Sequence, residues 1–477
     1  MISARPIYHY AHVEFEALTP HGIQAGKGDS THDVLLMRDP NGLPCIPATS
    51  LAGVLRHLYA QHYGIAAENE LFGYAEGNQG QPSWVTFTTA LVHDSHNKAV
   101  EGLRGDIEKD AVLSFLARSK PLVRQRVRLT EKGAAADTGK FDTTLIPAGV
   151  RYSAFIGYWS DGSPAAEVSW TQLLNLLSSQ SFRLGHGTRA GSGSFKINQL
   201  HTNRWDLTTS EGQQGFCQRS RRRVSIKGLV PQQLLPLADK ALTIEIALQA
   251  EAGWRIGGGE TPLSPSNENG RLPDLLPQNE KRISWQHNKA IIEDKIPVMP
   301  ASAIKGALSH RFAFHYRCLA AEFVNRLETQ MLTPNNQCPG VQTVFGYVAE
   351  GEQENQDTAQ AGLLLIDDLY LESPTVTKQV HNRIDHFTGG IINGALFEEE
   401  LLWQTQITLK LTVLQAERLD ARCKRALERT LHDLAQGWLP LGASGSRGQG
   451  TFLGTGAIEY SDAGWSKKDQ QFEEQCA

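Results

Sequence analysis

Alternating apolar and polar residues open each half of the chain. The segments HVEFEAL, residues 12–18, and LTIEIAL, residues 242–248, carry an apolar side chain at every second position, which predicts half-buried β-strands. Both segments are followed by glycine-rich loops. An apolar stripe at helical spacing then predicts that IPATSLAGVLRH is an amphipathic helix with Thr49 as its cap; the stripe comprises Leu51, Val54, Leu55 and Leu58.

The two halves match in four blocks that occur in the same order. After the strands, IPATSLAGVLRH matches MPASAIKGALSH, LFGYAEG matches VFGYVAEG, and LGHGTRAGSGSF matches LGASGSRGQGTF. The repetition predicts an internal duplication. We expect a first domain at 1–200, a polar linker at 201–235, a second domain at 236–460 and a polar tail at 461–477. The linker contains Arg219, Arg221, Arg222 and Arg223, which suit either a solvated charge run or contacts to phosphates.

Each half has the order strand, helix, strands, helix, glycine loop, strand. This order predicts an α+β protein made of two ferredoxin-like βαββαβ units in tandem, the frame shared by RNA-recognition domains. Residues 126–149 and 382–402 are predicted to be β-hairpins inserted between the middle strands and the second helix. Gly53 and Gly306 lie inside the matched helices, where glycine costs about 1 kcal/mol relative to alanine, so either tight packing or the approach of another backbone is expected there.

Composition limits the class of protein. A chain of 477 residues, 40% hydrophobic and 20% charged, can bury more than one core. No apolar run approaches the roughly 20 residues of a membrane helix, and no signal peptide is evident, so we expect a cytoplasmic protein without membrane partners. Six scattered cysteines indicate neither a zinc ribbon nor a disulfide framework. The net charge of −5 argues only mildly against nucleic acid.

The two late glycine loops each hold an arginine, Arg189 in GTRAGSG and Arg447 in GSRGQG. Such a loop can bring backbone amides and a guanidinium to a phosphate, although hairpins and helix C-caps also use glycine. The arginine in both copies favours anion binding. The loops lack the order of a Walker motif and the placement of a dinucleotide-binding fingerprint, which argues against nucleotide hydrolysis and redox chemistry.

The order IPATSLAGVLR, LFG, LGHGTRAGSGSF resembles the RAMP superfamily of CRISPR-associated proteins, and specifically the backbone subunits of type III effector complexes. The resemblance implies two fused RAMP units that bind guide CRISPR RNA, pair it with target RNA, contact other complex subunits, and push a hairpin thumb between segments of the guide–target duplex. The chain departs from the family pattern at Ala52, where lysine is frequent, and at Ser309, where arginine is expected. The RNA-binding residues that the resemblance implies are Thr49, Ser50, Arg56, Arg126, Arg189, Ser302, Lys305, Arg311, Arg383 and Arg447.

The resemblance also assigns a role to Asp33. In target-cleaving relatives an aspartate precedes an apolar run, a turn and the helix start, and HDVLLMRDPNGLPCIP has the same layout. This implies metal-dependent target-RNA cleavage in which Asp33 helps to hold Mg²⁺ or Mn²⁺ and the RNA 2′-hydroxyl is the nucleophile. His32 beside it is a candidate for proton transfer.

In the second half the position of Asp33 falls on Asn288. Either the second unit does not cleave, or its acid comes from an extra loop, where Asp274 is the best candidate. Two other functions stay open: a non-catalytic scaffold that binds guide RNA, and a guide-processing ribonuclease that uses His32, His186 or His287.

Overall fold

The computed structural model describes residues 5–29, 32–130, 135–237, 241–265, 272–322, 337–347, 359–462 and 465, and it leaves the side chains of 27–35 and 136–138 undescribed. The described chain forms two units, and in each unit strands alternate with helices. No helix in these ranges has the length and apolar character needed to span a membrane.

The first unit ends with strand β13. Its strands are β1 (Ile7–Ala17), β2 (Gln24–Asp29), β3 (His32–Leu36), β4 (Cys45–Ile46), β5 (Tyr74–Glu76), β6 (Gln79–Gln81), β7 (Val85–Phe87), β8 (Ala90–Val92), β9 (Leu122–Leu129), β10 (Ala135–Leu145), β11 (Arg151–Ser160), β12 (Phe195–Asp206) and β13 (Val230–Pro231). Its helices are α1 (Ala48–Tyr63), α2 (Ile65–Phe72), α3 (Ala111–Leu116), α4 (Pro164–Asn175) and α5 (Ser210–Gln218).

The second unit repeats this plan. Its strands are β14 (Leu242–Ala250), β15 (Gly253–Trp254), β16 (Asn279–Gln286), β17 (Lys289–Met299), β18 (Gly346–Tyr347), β19 (Gln360–Ala361), β20 (Leu364–Ile366), β21 (Leu369–Tyr370), β22 (Thr375–His381), β23 (Phe397–Trp403), β24 (Gln406–Val413), β25 (Phe452–Gly454) and β26 (Glu459–Tyr460). Its helices are α6 (Ala301–Cys318), α7 (Pro339–Phe345) and α8 (Ala421–Ala435).

Both main sheets have the ferredoxin-like strand order. The first runs β13-β12-β1-β11-β8-β4, with β7 also paired to β11, and the second runs β20-β24-β14-β25. In the first sheet β1 lies between β11 and β12, and in the second β14 lies between β24 and β25. These pairs are antiparallel, as are the pairs β8–β11 and β20–β24. The predicted α+β class with two ferredoxin-like units is confirmed.

The helix α1 buries the predicted apolar stripe. Leu51, Leu55 and Leu58 are buried, and α1 packs with β1 and α4 in one hydrophobic core. The prediction that Thr49 caps this helix is wrong. The capping position is Pro47, which makes no side-chain cap bond, and Thr49 is an exposed residue within the first turn. The fixed backbone angle of proline sets the entry into the helix without a hydroxyl cap.

The hairpin β16–β17, which we call the arm, joins the two units. It belongs to the second unit, yet Ile283 and Ala290 are part of the first unit's hydrophobic core. The Ile283 amide donates to Ala148 O at 3.0 Å, and Trp285 Nε1 donates to Gly149 O at 2.7 Å. Since a β-carbon on Gly149 would lie 1.7 Å from Ile283 O, only glycine permits this approach.

The arm turns at His287 and Asn288, whose φ angles are 48° and 61°. Asp33, by contrast, lies in β3, just after His32, which pairs with Asp29. Asp33 thus lies within a strand and Asn288 in a tight turn between strands, and the match of the two residues stays a prediction.

Inserted hairpins are present as β9–β10 and β22–β23, and the second begins at Thr375, before the predicted segment. Their predicted place was wrong, because along the chain each hairpin lies between the two middle strands of its sheet, β8 and β11 or β20 and β24, and not after both of them. The segment predicted to be a linker contains the end of β12, helix α5 and strand β13, which pairs back onto β12. The domain boundaries themselves stay a prediction. Most of the predicted tail, 461–477, lies outside the described residues.

Candidate nucleic-acid interface

The late glycine loops of the two units have the same backbone path. Gly185, Gly191 and Gly193 have φ angles of 96°, 94° and 76°, and the matched residues Gly442, Gly448 and Gly450 have 97°, 82° and 76°. A β-carbon on Gly193 or on Gly450 would lie 2.2 Å from the carbonyl oxygen of the leucine that begins its own loop. These glycines are thus required because each loop folds back on itself.

The two loop arginines are not equivalent, although the sequence suggested that they were. Each loop contains one 3₁₀ turn, in which Arg189 is the middle residue of Thr188–Ala190 and Arg447 is the last residue of Gly445–Arg447. Arg189 turns inward and donates Nε–H to Gly362 O at 2.8 Å, whereas Arg447 is exposed. Burial, aided by the neighbouring charge of Arg183, lowers the pKa of Arg189.

Arg189 of the first unit lies beside Lys305 of the second, and we call these two residues the cation pair. Burial and, to a smaller extent, the charge of Arg189 together lower the pKa of Lys305 to about 8. Neither side chain forms an ion pair with a carboxylate of the described residues. Lys305 lies in the second turn of α6, and Ser302, half-buried, lies in its first turn. Two adjacent cations without an anion favour the binding of a negatively charged group.

A groove of about 300 Å³ runs beside the cation pair, between α1 and the second unit. Arg183 on its wall is held by two bonds to Asp367 across the units, at 2.5 and 3.1 Å. Arg183 was not predicted, because the matched residue of the second unit is Pro440. The groove is lined by Gly53, Val54, His57, Leu58, Gln61, Ser181, Arg183, Thr188, Arg189 and Ala361.

The helix glycines Gly53 and Gly306 border this region without an internal packing reason. No heavy atom lies within 4 Å of the place where a β-carbon would stand on either residue. Tight packing, one of the two explanations weighed for them, is therefore absent at both positions among the described residues. The other explanation, the approach of a further backbone, remains.

Two predicted RNA-binding arginines hold helices together inside their own units. Arg56 pairs with Glu68 and donates to Gly73 O at 3.0 Å, which ties α1 to α2. Arg311 pairs with Asp433 of α8, and His315 Nε2 contacts the same carboxylate at 2.7 Å. These contacts give each arginine a structural role that the sequence pattern did not indicate.

Other predicted residues are spread more widely. Thr49 is exposed and Ser50 half-buried at the start of α1, and Arg383 is exposed beyond the end of β22. Arg126, on β9, is half-buried, and burial together with Arg124 lowers its pKa. Of the predicted RNA-binding residues, the cation pair therefore contains two, Arg189 and Lys305.

The predicted catalytic residues do not form a described cluster. The side chains of His32 and Asp33 lie outside the described residues, although their backbones form part of β3. The carboxylate of Asp274 accepts the Glu398 amide at 2.9 Å, so this residue helps to join its loop to β23. His186 Nδ1 donates to Gly22 O at 2.8 Å, and burial lowers the pKa of His186.

Among the described residues, no three His, Cys, Asp or Glu side chains converge as metal ligands. These residues alone therefore provide no complete ligand set for Mg²⁺ or Mn²⁺.

Two antiparallel α+β units that meet at a glycine loop and a cation pair define a tandem ferredoxin-like protein. The sequence model of the RAMP superfamily matches residues 14–196 and 248–452, one region in each unit. The chain belongs to the RAMP superfamily and contains two of its units.

The chain also matches solved structures. A chain from the cryo-EM structure of the Type III-B Cmr-beta bound to cognate target RNA is 17% identical, with a TM-score of 0.28. The match covers 41% of this chain and 60% of that one, so it spans less than two thirds of the relative's length. No curated protein matches the chain.

Proposed function

We propose that this chain is a guide CRISPR RNA-binding backbone subunit of a type III effector complex, and that it works in the cytoplasm with target RNA and other complex subunits as partners. The observation that carries the proposal is the cation pair, Lys305 and Arg189, which lies between the units and has no carboxylate partner in the part of the chain that the structure describes. An RNA phosphate supplies the missing negative charge.

The surroundings of the cation pair suit an RNA backbone. The groove beside it is open, and Gly53 and Gly306 leave room for close approach on both helices. Lys305 lies one turn into α6, on the helix that borders the junction between the units. We propose that the guide follows this junction from one unit to the next.

The two inserted hairpins fit the role of thumbs. β9–β10 and β22–β23 occupy matching places in the two units, and the second hairpin carries the exposed Arg383 beyond its first strand. In this proposal each hairpin separates one segment of the guide–target duplex from the next.

The experiment measures the affinity of the purified chain for single-stranded guide RNA as a function of salt. Lys305→Met should weaken binding about equally for unrelated sequences and reduce the salt slope by about one, because one phosphate contact is lost. Arg447→Ala, an exposed loop arginine, should have a similar effect. Lys410→Met is the control, because Lys410 pairs with Glu245 on the outer face of the second sheet. An unchanged slope in Lys305→Met would overturn the proposal.

We further propose that the first unit cleaves target RNA with Asp33 and a divalent ion, Mg²⁺ or Mn²⁺. The support is the resemblance of the segment around Asp33 to target-cleaving relatives. When bound, the ion would stabilise charge on the scissile phosphate while the RNA 2′-hydroxyl attacks it. Asp33 would hold the ion together with RNA oxygens, and His32 would assist proton transfer.

The cleavage assay uses the assembled complex, a labelled target RNA and added magnesium or manganese. Asp33→Asn should abolish one cut and leave guide and target binding nearly intact, whereas Asp29→Asn, on the facing strand, should cut normally. If the second unit also cuts, Asp274→Ala should remove a second product. Undiminished cutting by Asp33→Asn at every position would leave a non-catalytic scaffold, and cutting without metal would favour a histidine-dependent ribonuclease.

A further inference from the structure

A buried charged junction lies between the two units, at the base of the first hairpin. Arg124, on β9, donates from Nε and Nη2 to the two carboxylate oxygens of Glu280 on the arm, at 2.6 and 2.9 Å. The side chains are only 3% and 0% exposed. The hairpin of one unit is thus fixed to the arm of the other by a two-point contact that water does not reach.

Asp368 extends this junction to helix α6. Its Oδ2 forms an ion pair with Arg124 Nη1 at 2.7 Å, although the geometry is not that of a hydrogen bond. Its Oδ1 accepts a hydrogen bond from the Ala301 amide at 2.8 Å. Since Ala301 is the first residue of α6, the same carboxylate contacts the hairpin and caps the helix.

The junction also reaches the cation pair. Ala301 and Lys305 are four residues apart on one helix and therefore lie on the same face. The loop that carries Arg189 touches the junction at Gly191, where a β-carbon would lie 2.4 Å from the Ala301 side chain and 2.7 Å from Asp368 Oδ1. The base of the first hairpin, the start of α6 and the first glycine loop therefore meet at Asp368.

We propose that Arg124 is a positioning residue that couples RNA binding at the cation pair to the placement of the first hairpin. This inference rests on the proposed function. An RNA phosphate on Lys305 and Arg189 holds the first turns of α6, and Asp368 and Arg124 pass that restraint to β9. Coupling is reciprocal, so a hairpin released from Arg124 lowers the affinity for RNA although Arg124 touches none.

The test compares the parent chain with Arg124→Gln, Lys305→Met and the double variant in RNA titrations at several salt concentrations. Arg124→Gln should weaken RNA binding on the order of fivefold with an unchanged salt slope, because no phosphate contact is lost. Lys305→Met should weaken binding and flatten the slope. In the double variant the Arg124→Gln effect should largely disappear, since the site to which it couples is gone.

Hydrogen exchange at the amides of 122–129 gives a second readout. RNA should slow exchange there in the parent and not in Arg124→Gln. Arg124→Lys keeps the buried charge but cannot contact both carboxylates as a fork, so it should fold normally and lose part of the coupling. Arg255→Gln is the matched control, because Arg255 is buried and pairs with Glu399 within the second unit alone.

Two outcomes would overturn the inference: parent-like affinity and exchange in both Arg124 variants, or a full Arg124→Gln effect that persists in the Lys305→Met background. Parent-like binding by Lys305→Met would instead overturn the phosphate contact itself. The failure of the coupling and the failure of the proposed function are therefore separate results.

Discussion

Lys305 is a largely buried amine, and the charged group that acts on it is another cation, Arg189. Because burial and Arg189 lower its pKa to about 8, the amine loses its proton within an accessible pH range. The unfolded chain keeps the ordinary value near 10.5. Between pH 10.5 and about 8 the unfolded chain carries the proton on Lys305 while the folded chain does not. The free energy of unfolding therefore falls as the pH falls through this range, and it stays at the lower value once both states are protonated. Lys305 therefore costs stability at neutral pH, which is expected of a residue retained for binding.

The pH dependence of RNA binding follows from this titration. A phosphate favours the charged amine, so RNA affinity should be highest below pH 8 and fall as the pH rises above it. Lys305→Arg keeps its charge throughout and should remove the dependence. The measurement is a series of RNA titrations at constant ionic strength. A fall of equal size in both proteins would assign the dependence to another group.

Gly53 and Gly306 provide a second prediction for single residues. Alanine at either position should raise the free energy of unfolding by up to about 1 kcal/mol, because both lie in helices and no neighbour obstructs a β-carbon. If RNA passes close to these helices, the same variants should bind guide RNA more weakly. Thermal unfolding and RNA titration measure the two effects. Gly105→Ala, at a position equally open but outside the helices, is the control, and parent-like RNA binding by both helix variants would contradict the prediction.

Among the secondary-structure elements, the sequence predicted those that pack against the core of their own unit. The alternating strands β1 and β14 and the stripe of α1 were evident because their apolar faces turn inward. The arm was not predicted. Its apolar residues Ile283 and Ala290 pack into the core of the other unit, and nothing in the local pattern of apolar residues indicates a core so distant in sequence. The same holds for Arg124 and Glu280, which are 156 residues apart and only meet in the folded chain.

Candidate site residues follow the same rule. Lys305 and Arg189 were identified through the motifs that contain them, but nothing in the sequence placed them side by side. Arg56 and Arg311 resemble surface cations in sequence, yet each has a carboxylate partner on another helix. Pairing between distant segments decides which cations remain available for a ligand.

The arm yields a prediction at its turn. Because Asn288 has a φ of 61°, Asn288→Ala should lower the free energy of unfolding by about 1 kcal/mol, whereas Asn288→Gly should be nearly neutral. Chemical denaturation of the two variants and the parent tests this. An alanine variant as stable as the glycine variant would mean that the turn adopts another conformation in solution.

The whole molecule has two main hydrophobic cores that are not separate along the chain. The first core includes residues of the arm, and loop residues of the first unit, Ala148, Gly149 and Ser95, accept the arm's hydrogen bonds. Contacts between the units therefore contribute to the stability of the first unit as well as to the arrangement of the two. Cutting the chain between the units is expected to leave the first core incomplete.

A fragment of residues 1–237 should unfold at lower temperature than the first unit within the full chain. Loss of the buried Ile283 alone removes about 2 kcal/mol, or roughly 4–8 °C for a unit of this size. A peptide of residues 277–299 added in trans should restore part of the difference, and an Ile283→Asp peptide should not. Thermal unfolding during peptide titration measures this. A fragment unaffected by the peptide would show that the first core closes over the place of the arm, between Ala148 and Ser95, when the arm is missing.

The inserted arm also bears on synthesis at the ribosome. Residues 1–237 emerge first, and the slot between Ala148 and Ser95 stays unfilled until the arm follows at about 5–20 residues per second. During that interval the slot is open to the arm of a more complete chain on the same polysome. Exchange of arms between copies is therefore the expected assembly error, and chains made from crowded polysomes should contain more swapped dimers, detectable by size-exclusion chromatography, than chains made slowly.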